Sequence, residues 1–177
     1  MEHPAIKETC TWLNNVVVGL DLCPFAAAPL ASGMVGFTVS QAEDDLEILA
    51  ELLGELDRID DDLSATRLLI IPHFDKGFLA FCDLLAAAED LLVAFERSSE
   101  YQLVSFHPDY LFAGTTPDDP GNYTNRSPHP MIHILRTQDV TAAVASHHDV
   151  AGIPQRNVAI LTEMGVSNIR QRWFKSS

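Results

Sequence analysis

At 177 residues, 47% of them hydrophobic and 20% charged, the chain has an ordinary globular balance that excludes wholesale disorder. A length of this order suits one core, so the expectation is a single α/β domain over residues 1–177. The formal charge of −14 and the pI near 4.6 repel a phosphate backbone and count against general nucleic-acid binding.

No stretch approaches the roughly 20 apolar residues of a membrane helix, and residues 1–10 lack a basic region followed by an apolar one. The expectation is a cytoplasmic protein with no membrane partner. Cys10, Cys23 and Cys82 are too widely spaced for a disulfide framework or a paired zinc motif, which fits a reducing compartment.

Ile6, Cys10, Leu13 and Val17 recur at helical spacing and predict an opening amphipathic helix that ends near Gly19. Beyond Leu22-Cys23-Pro24-Phe25, residues 34–39 read as a short strand. Ser40 and Glu43 have capping-box spacing and predict a helix whose buried stripe is Leu46, Leu49, Leu53 and Leu56. Asp60, Asp61 and Asp62 then mark a solvated turn. The apolar run from Leu68 to Ile71, stopped by Pro72, is that of a strand buried on both faces in mid-sheet. Asp75 is placed to cap the next and longest helix, with Phe78, Phe81, Cys82, Leu85 and Leu92 along one side. Two strands follow, at 101–106 and 131–135. Residues 140–147 read as a short helix, and Ile153-Pro154 opens another that Gly165 can end. Arg170, Arg172 and Lys175 make residues 166–177 a basic C-terminal tail, read as a frayed helix or a docking segment. This order predicts an α+β fold, a mixed sheet with helices packed on it, with a ferredoxin-like sandwich as the first topology.

Between the last two strands, Pro108 to Pro130 holds five of the ten prolines together with Gly114, Gly121, Asn122 and Asn125, which forbids long regular structure. Its Tyr110, Phe112, Tyr123 and Arg126 are anchoring groups, so residues 108–130 read as an ordered loop packed on the sheet. A loop of this length inside a compact domain is a candidate functional surface.

From Ser98 to Ile169 there is no lysine, and the arginines are Arg126, Arg136 and Arg156. Cations so placed in an acidic chain suit capture of a small anionic ligand, with Asn122, Asn125, Ser127 and Asn157 as further donors. The alternative is that each arginine clamps the protein's own loops. His107 at a strand end, beside Asp109 and Tyr110, is positioned for proton transfer, or else for a hydrogen bond to loop backbone. Cys23 becomes a candidate nucleophile or metal ligand if His107 lies near it, and Cys23, His107, Asp109 and His133 together would make a metal-dependent protein. Core packing is the simpler reading of His133, and a buried thiol near Phe25 that of Cys23.

Four stretches carry a resemblance: Leu22 to Phe25, Ser105 to Tyr110, Asp119 to Pro128, and His133 with Leu135-Arg136. Through them the chain resembles, from Trp12 to about Gly165, the bacterial family catalogued as domain of unknown function 1415. The resemblance implies no particular activity or cofactor. Three functional readings remain: an enzyme or small-molecule-binding domain holding an anion at residues 107–136, a non-catalytic interaction scaffold, and a metal-dependent protein using Cys23 and His107.

Overall fold

The computed structural model describes residues 3–61 and 66–173. The chain enters on α1, Pro4–Trp12, with Pro4 in the first turn and the His3 side chain accepting from the Ala5 amide at 3.2 Å. The helix widens without a break into a π-helical stretch, Leu13–Val18, ending at Gly19 as the spacing predicts. A short helix α2, Ala27–Ala31, leads to strand β1, Val35–Val39. Helix α3 is Asp45–Asp61, strand β2 Thr66–Ile70, helix α4 Gly77–Ala94 and strand β3 Tyr101–Phe106. A 3-10 turn, Pro120–Thr124, interrupts the long loop before strand β4, Met131–Arg136. Helices α5, Thr137–Ser146, α6, Ile153–Met164, and α7, Val166–Trp173, complete the order.

The four strands form one mixed sheet in the order β1-β2-β4-β3. β1 and β2 are parallel and joined by α3, whereas β4 runs antiparallel to both β2 and β3. This departs from the ferredoxin-like sandwich, in which every strand is antiparallel to its neighbours. Only the second half, where β4 inserts between the ends of β2-α4-β3, has the split arrangement. Every β2 residue is buried, as expected of a mid-sheet run of apolar residues.

Register divides the core. Leu69, Ile132 and Ile134 pack on one face against Ile48, Leu52 and Leu56 of α3 and Phe81, Leu84 and Ala88 of α4. On the other face, Leu68, Ile70 and Met131 meet Trp12 and Val16, Tyr123, Leu161 of α6 and Ile169 of α7. A sheet with helices on both faces leaves a two-layer sandwich no room.

Several local expectations are corrected. The α3 stripe is rotated from the predicted one: Leu46 is 77% exposed, and Ile48, Leu52, Leu56 and Ile59 are the buried set. Its N-terminus is capped by Asp44, whose Oδ1 accepts from the Glu47 amide at 2.9 Å. Ser40 cannot serve there because it is buried and its amide continues the β1–β2 ladder onto the Ile70 carbonyl at 2.8 Å. Asp75 does not cap α4, which starts on Lys76 without a side-chain cap. α3 runs through Asp60 and Asp61, so the acidic turn does not begin there; Asp62 lies outside the described residues. Of the basic tail, residues 166–173 are helix α7. Arg170 Nε donates to the Tyr123 hydroxyl at 2.7 Å, and Arg172 donates to the carbonyls of Asn15 and Gly19 at 2.5 and 3.0 Å. Lys175 lies outside the described residues. Among those residues, no helix is long and apolar enough to cross a membrane.

Candidate functional site

The polar side chains of the 108–130 loop turn inward. Asn122, fully buried, accepts from the Phe112 amide and the Thr115 hydroxyl at 3.0 and 2.8 Å and donates to the Thr116 carbonyl at 2.8 Å. Arg126 donates to the carbonyls of Tyr110 and Pro117 at 3.1 and 2.9 Å, and its guanidinium lies over the Tyr123 ring, 4.9 Å from the centroid. Asn125 donates to the Ser105 carbonyl at 3.1 Å, and Ser127 to the His129 carbonyl at 2.6 Å. These bonds satisfy backbone that prolines leave without a ladder, so the loop is clamped by its own side chains.

The proposed proton-transfer group is equally internal. His107 is 3% exposed, its ring packed 5.4 and 5.3 Å from those of Phe78 and Phe81 of α4, and its Nδ1 accepts from the Asp109 amide at 3.0 Å. Burial lowers its pKa from the ordinary 6.5, with Asp109 opposing weakly. Tyr110 lies between Phe78 and Phe112, its ring centroid 4.9 Å from each and the rings tilted to one another. Arg136 turns to α3, donating to the Ile59 carbonyl, and borders a recess with Asp60 and Tyr101. Arg156 pairs with Asp21 at 3.2 Å, and Asn157 donates to the Leu22 carbonyl at 2.7 Å. The candidate anion ligands therefore do not surround a common hollow. His107 lies on the α4 face of the sheet and Cys23 on the other, so the Cys23–His107 metal site does not form. Among the described residues, no group of three or more His, Cys, Asp or Glu is placed to hold a metal ion.

The hollow lies elsewhere, on the face opposite α3 and α4. A cavity of about 360 Å³ is floored by Thr66, Leu68, Val104, Phe106, His133 and Leu135, from the central and β3 strands. Leu13 of the π-helical stretch, Cys23, Phe25 and Ala26, and Pro29 and Leu30 of α2 form one wall. Val140, Ala143 and Val144 of α5, one apolar stripe at i, i+3 and i+4, form the other. The chain builds these walls by local means. β4 passes straight into α5 at Arg136, which throws the helix back over the sheet. Arg156 and Asn157 of α6 pin Asp21 and Leu22, and so fix the approach to Cys23. Phe25 closes on His147 at the end of α5, ring centroids 5.6 Å apart.

Neither α2 nor α5 contains a single buried residue, although both carry an apolar stripe onto this cavity. Pro29, Leu30, Val140 and Ala143 are half-buried along the cavity, and Val144 is exposed at its rim. Two polar groups reach the floor. His133 Nε2 lies 2.5 Å from the Thr66 hydroxyl oxygen, and that hydroxyl donates to the Ile134 carbonyl at 2.7 Å. Desolvation pushes the His133 pKa down to about 4, leaving the ring neutral near pH 7. Cys23 is raised by burial against the lowering of the Phe25 and Ala26 amides, so it remains a thiol. The remaining charged residues of the lining, Arg136 and Asp139, are of opposite sign.

The family described as "Protein of unknown function (DUF1415)" matches residues 4–171. The chain belongs to that family. All four stretches that carry the sequence resemblance fall within the DUF1415 match. Three of them contribute to the cavity, 22–25, 105–110 through Phe106, and 133–136, whereas 119–128 builds the clamped loop. No curated protein and no solved structure matches the chain. DUF1415 membership carries no activity with it, and the cavity is read from this chain's own residues.

The sequence signal for this site was present but diffuse. Val140, Ala143 and Val144 gave helical periodicity without revealing that the stripe would face space. His133 stood inside a strand whose alternation reads as ordinary core.

Proposed function

We propose that the protein is a small-molecule-binding domain whose ligand is largely apolar and sits between the sheet, α2 and α5. One observation carries this reading: two helices present apolar stripes to a cavity of about 360 Å³ without burying a residue in it. Cores close-pack at the density of organic crystals, so apolar side chains facing space gain dispersion and hydrophobic energy when something fills it. The size and the lining, many apolar groups with a few polar ones, are those of pockets that enclose small organic molecules. Burying an anion here would be costly, because the imidazole is neutral and the Arg136 guanidinium is turned away to α3.

2-Methylnaphthalene is a suitable probe. The expected result is saturable binding by calorimetry with a rise in Tm, both abolished by Ala143→Leu, which fills the cavity and leaves far-UV circular dichroism unchanged. Absence of binding to the parent, or equal binding to Ala143→Leu, would refute the assignment.

A further inference from the structure

We infer that His133, held in one tautomer by Thr66, presents a bare acceptor nitrogen to the cavity, and that the site selects neutral ligands carrying a hydrogen-bond donor, such as phenols, alcohols or amides. This inference rests on the cavity reading above and names the chemistry of its occupant.

Thr66 has one hydroxyl proton. At 2.7 Å from the Ile134 carbonyl, within the same strand pair, that proton is donated to the main chain, since a carbonyl oxygen can only accept. The Thr66 oxygen is then left with lone pairs toward His133, 2.5 Å from Nε2. A contact between two heteroatoms needs one proton, and Thr66 has none to give there. The proton is therefore on Nε2, and the neutral ring carries it nowhere else. Nδ1 keeps an in-plane lone pair, and among the described residues nothing donates to it. The other polar groups of the floor cannot substitute. Thr66 is committed in both directions, and the ring's remaining close partner is the apolar face of Phe106, 6.3 Å between centroids.

An acceptor set in an apolar wall discriminates by what it leaves unsatisfied. A ligand hydroxyl or N–H donating to Nδ1 replaces its lost water, whereas a methyl group in that place leaves the nitrogen dry and unpaired. A carboxylate brings only lone pairs to a lone pair. Thr66 acts through His133 and is a positioning residue.

The test compares 2-naphthol with 2-methylnaphthalene, which differ by a hydroxyl in place of a methyl, on the parent, Thr66→Ser, Thr66→Val and His133→Phe. The parent and Thr66→Ser are expected to bind 2-naphthol about tenfold more tightly than 2-methylnaphthalene, the worth of one buried hydrogen bond. In His133→Phe the preference falls to parity, while 2-methylnaphthalene still binds. In Thr66→Val the preference shrinks, and long-range ¹H–¹⁵N correlation of the imidazole changes from the pure Nε2–H pattern of the parent to a mixture. Equal affinities for the two compounds in the parent would overturn the acceptor assignment while leaving the apolar site standing. A parent imidazole protonated on Nδ1 overturns it as well. Failure of both compounds to bind the parent removes the site itself.

Discussion

A Cβ placed on Gly36 would stand 2.7 Å from a terminal nitrogen of Arg67 and 3.1 Å from its Cγ. The two residues face each other in register across β1 and β2, and the guanidinium occupies the volume a side chain would need. Arg67 is only 8% exposed, and its Nε donates to the buried carboxylate of Glu55 on α3 at 2.5 Å. The bare Cα of Gly36 is thus what admits a buried ion pair between sheet and helix. Gly36→Ala should destabilise the fold by about 1–3 kcal/mol, the cost of overpacking a closed site, because Arg67 cannot yield without disturbing Glu55. Glu55→Leu should cost more, about 3–5 kcal/mol, by removing the buried carboxylate to which Arg67 and Arg58 both donate. Urea unfolding of both variants measures the order, and a Gly36→Ala chain as stable as the parent would show that Arg67 moves easily.

Asn122 closes three hydrogen bonds inside the long loop, and Arg126 two more with a ring contact. Asn122→Ala should cost about 2–3 kcal/mol, since the fully buried side chain gives up its bonds to Phe112, Thr115 and Thr116 together. Inorganic phosphate or acetate should raise the Tm of neither the parent nor the Arg126→Ala variant. A phosphate-dependent rise in the parent that Arg126→Ala removes would restore the loop as an anion site.

The His133 ring gives stability a definite pH dependence. An exposed imidazole in the unfolded chain titrates near 6.5 and the native ring near 4, so between these values the unfolded state holds more protons. The contribution is complete above pH 6.5, declines as pH falls, and is fully lost below 4, by up to about 3 kcal/mol. His107 is lowered in the same direction, so its contribution has the same sign. The part due to His133 is the difference between urea midpoints of the parent and His133→Gln across pH 4 to 7, expected to be flatter in the variant. Parallel profiles would mean that the native ring titrates as an ordinary histidine.

Cys23 offers a reporter on the cavity. Burial raises its pKa and limits access, whereas Cys82 is exposed on α4. Iodoacetamide should therefore alkylate Cys82 faster, and saturating 2-methylnaphthalene should slow Cys23 alone, as read by peptide mass spectrometry. Slowing of both thiols alike would point to a general effect of the probe rather than occupancy.

Local pattern sufficed for much of this architecture. The apolar run at 68–71 announces a central strand because only burial on both faces tolerates it, and Gly165, with φ of +75°, ends α6 where a side chain would be strained. The prolines of 108–130 likewise announce a stretch without long regular structure. Helix phase was less legible: Leu46 and Ile48 are equally apolar, and which one turns inward depends on where Glu55 must meet Arg67.

The cavity was only partly within reach of the sequence, whose candidates Cys23, His133 and Arg136 are among its lining. His107, Asn122, Asn125 and Arg126 have the residue types of a binding constellation, and each already holds a partner within the chain. His133 reads as an interior residue of a strand and Thr66 lies just before the apolar run at 68–71, and only the antiparallel pairing of β2 with β4 brings hydroxyl and imidazole together. Composition and periodicity determined most of the helices and strands, though not α2, because those follow from near neighbours along the chain. Where space would be left between them was decided by tertiary packing, since a cavity is formed by segments as distant as Leu13, Phe25, His133 and Val144 that no local pattern relates.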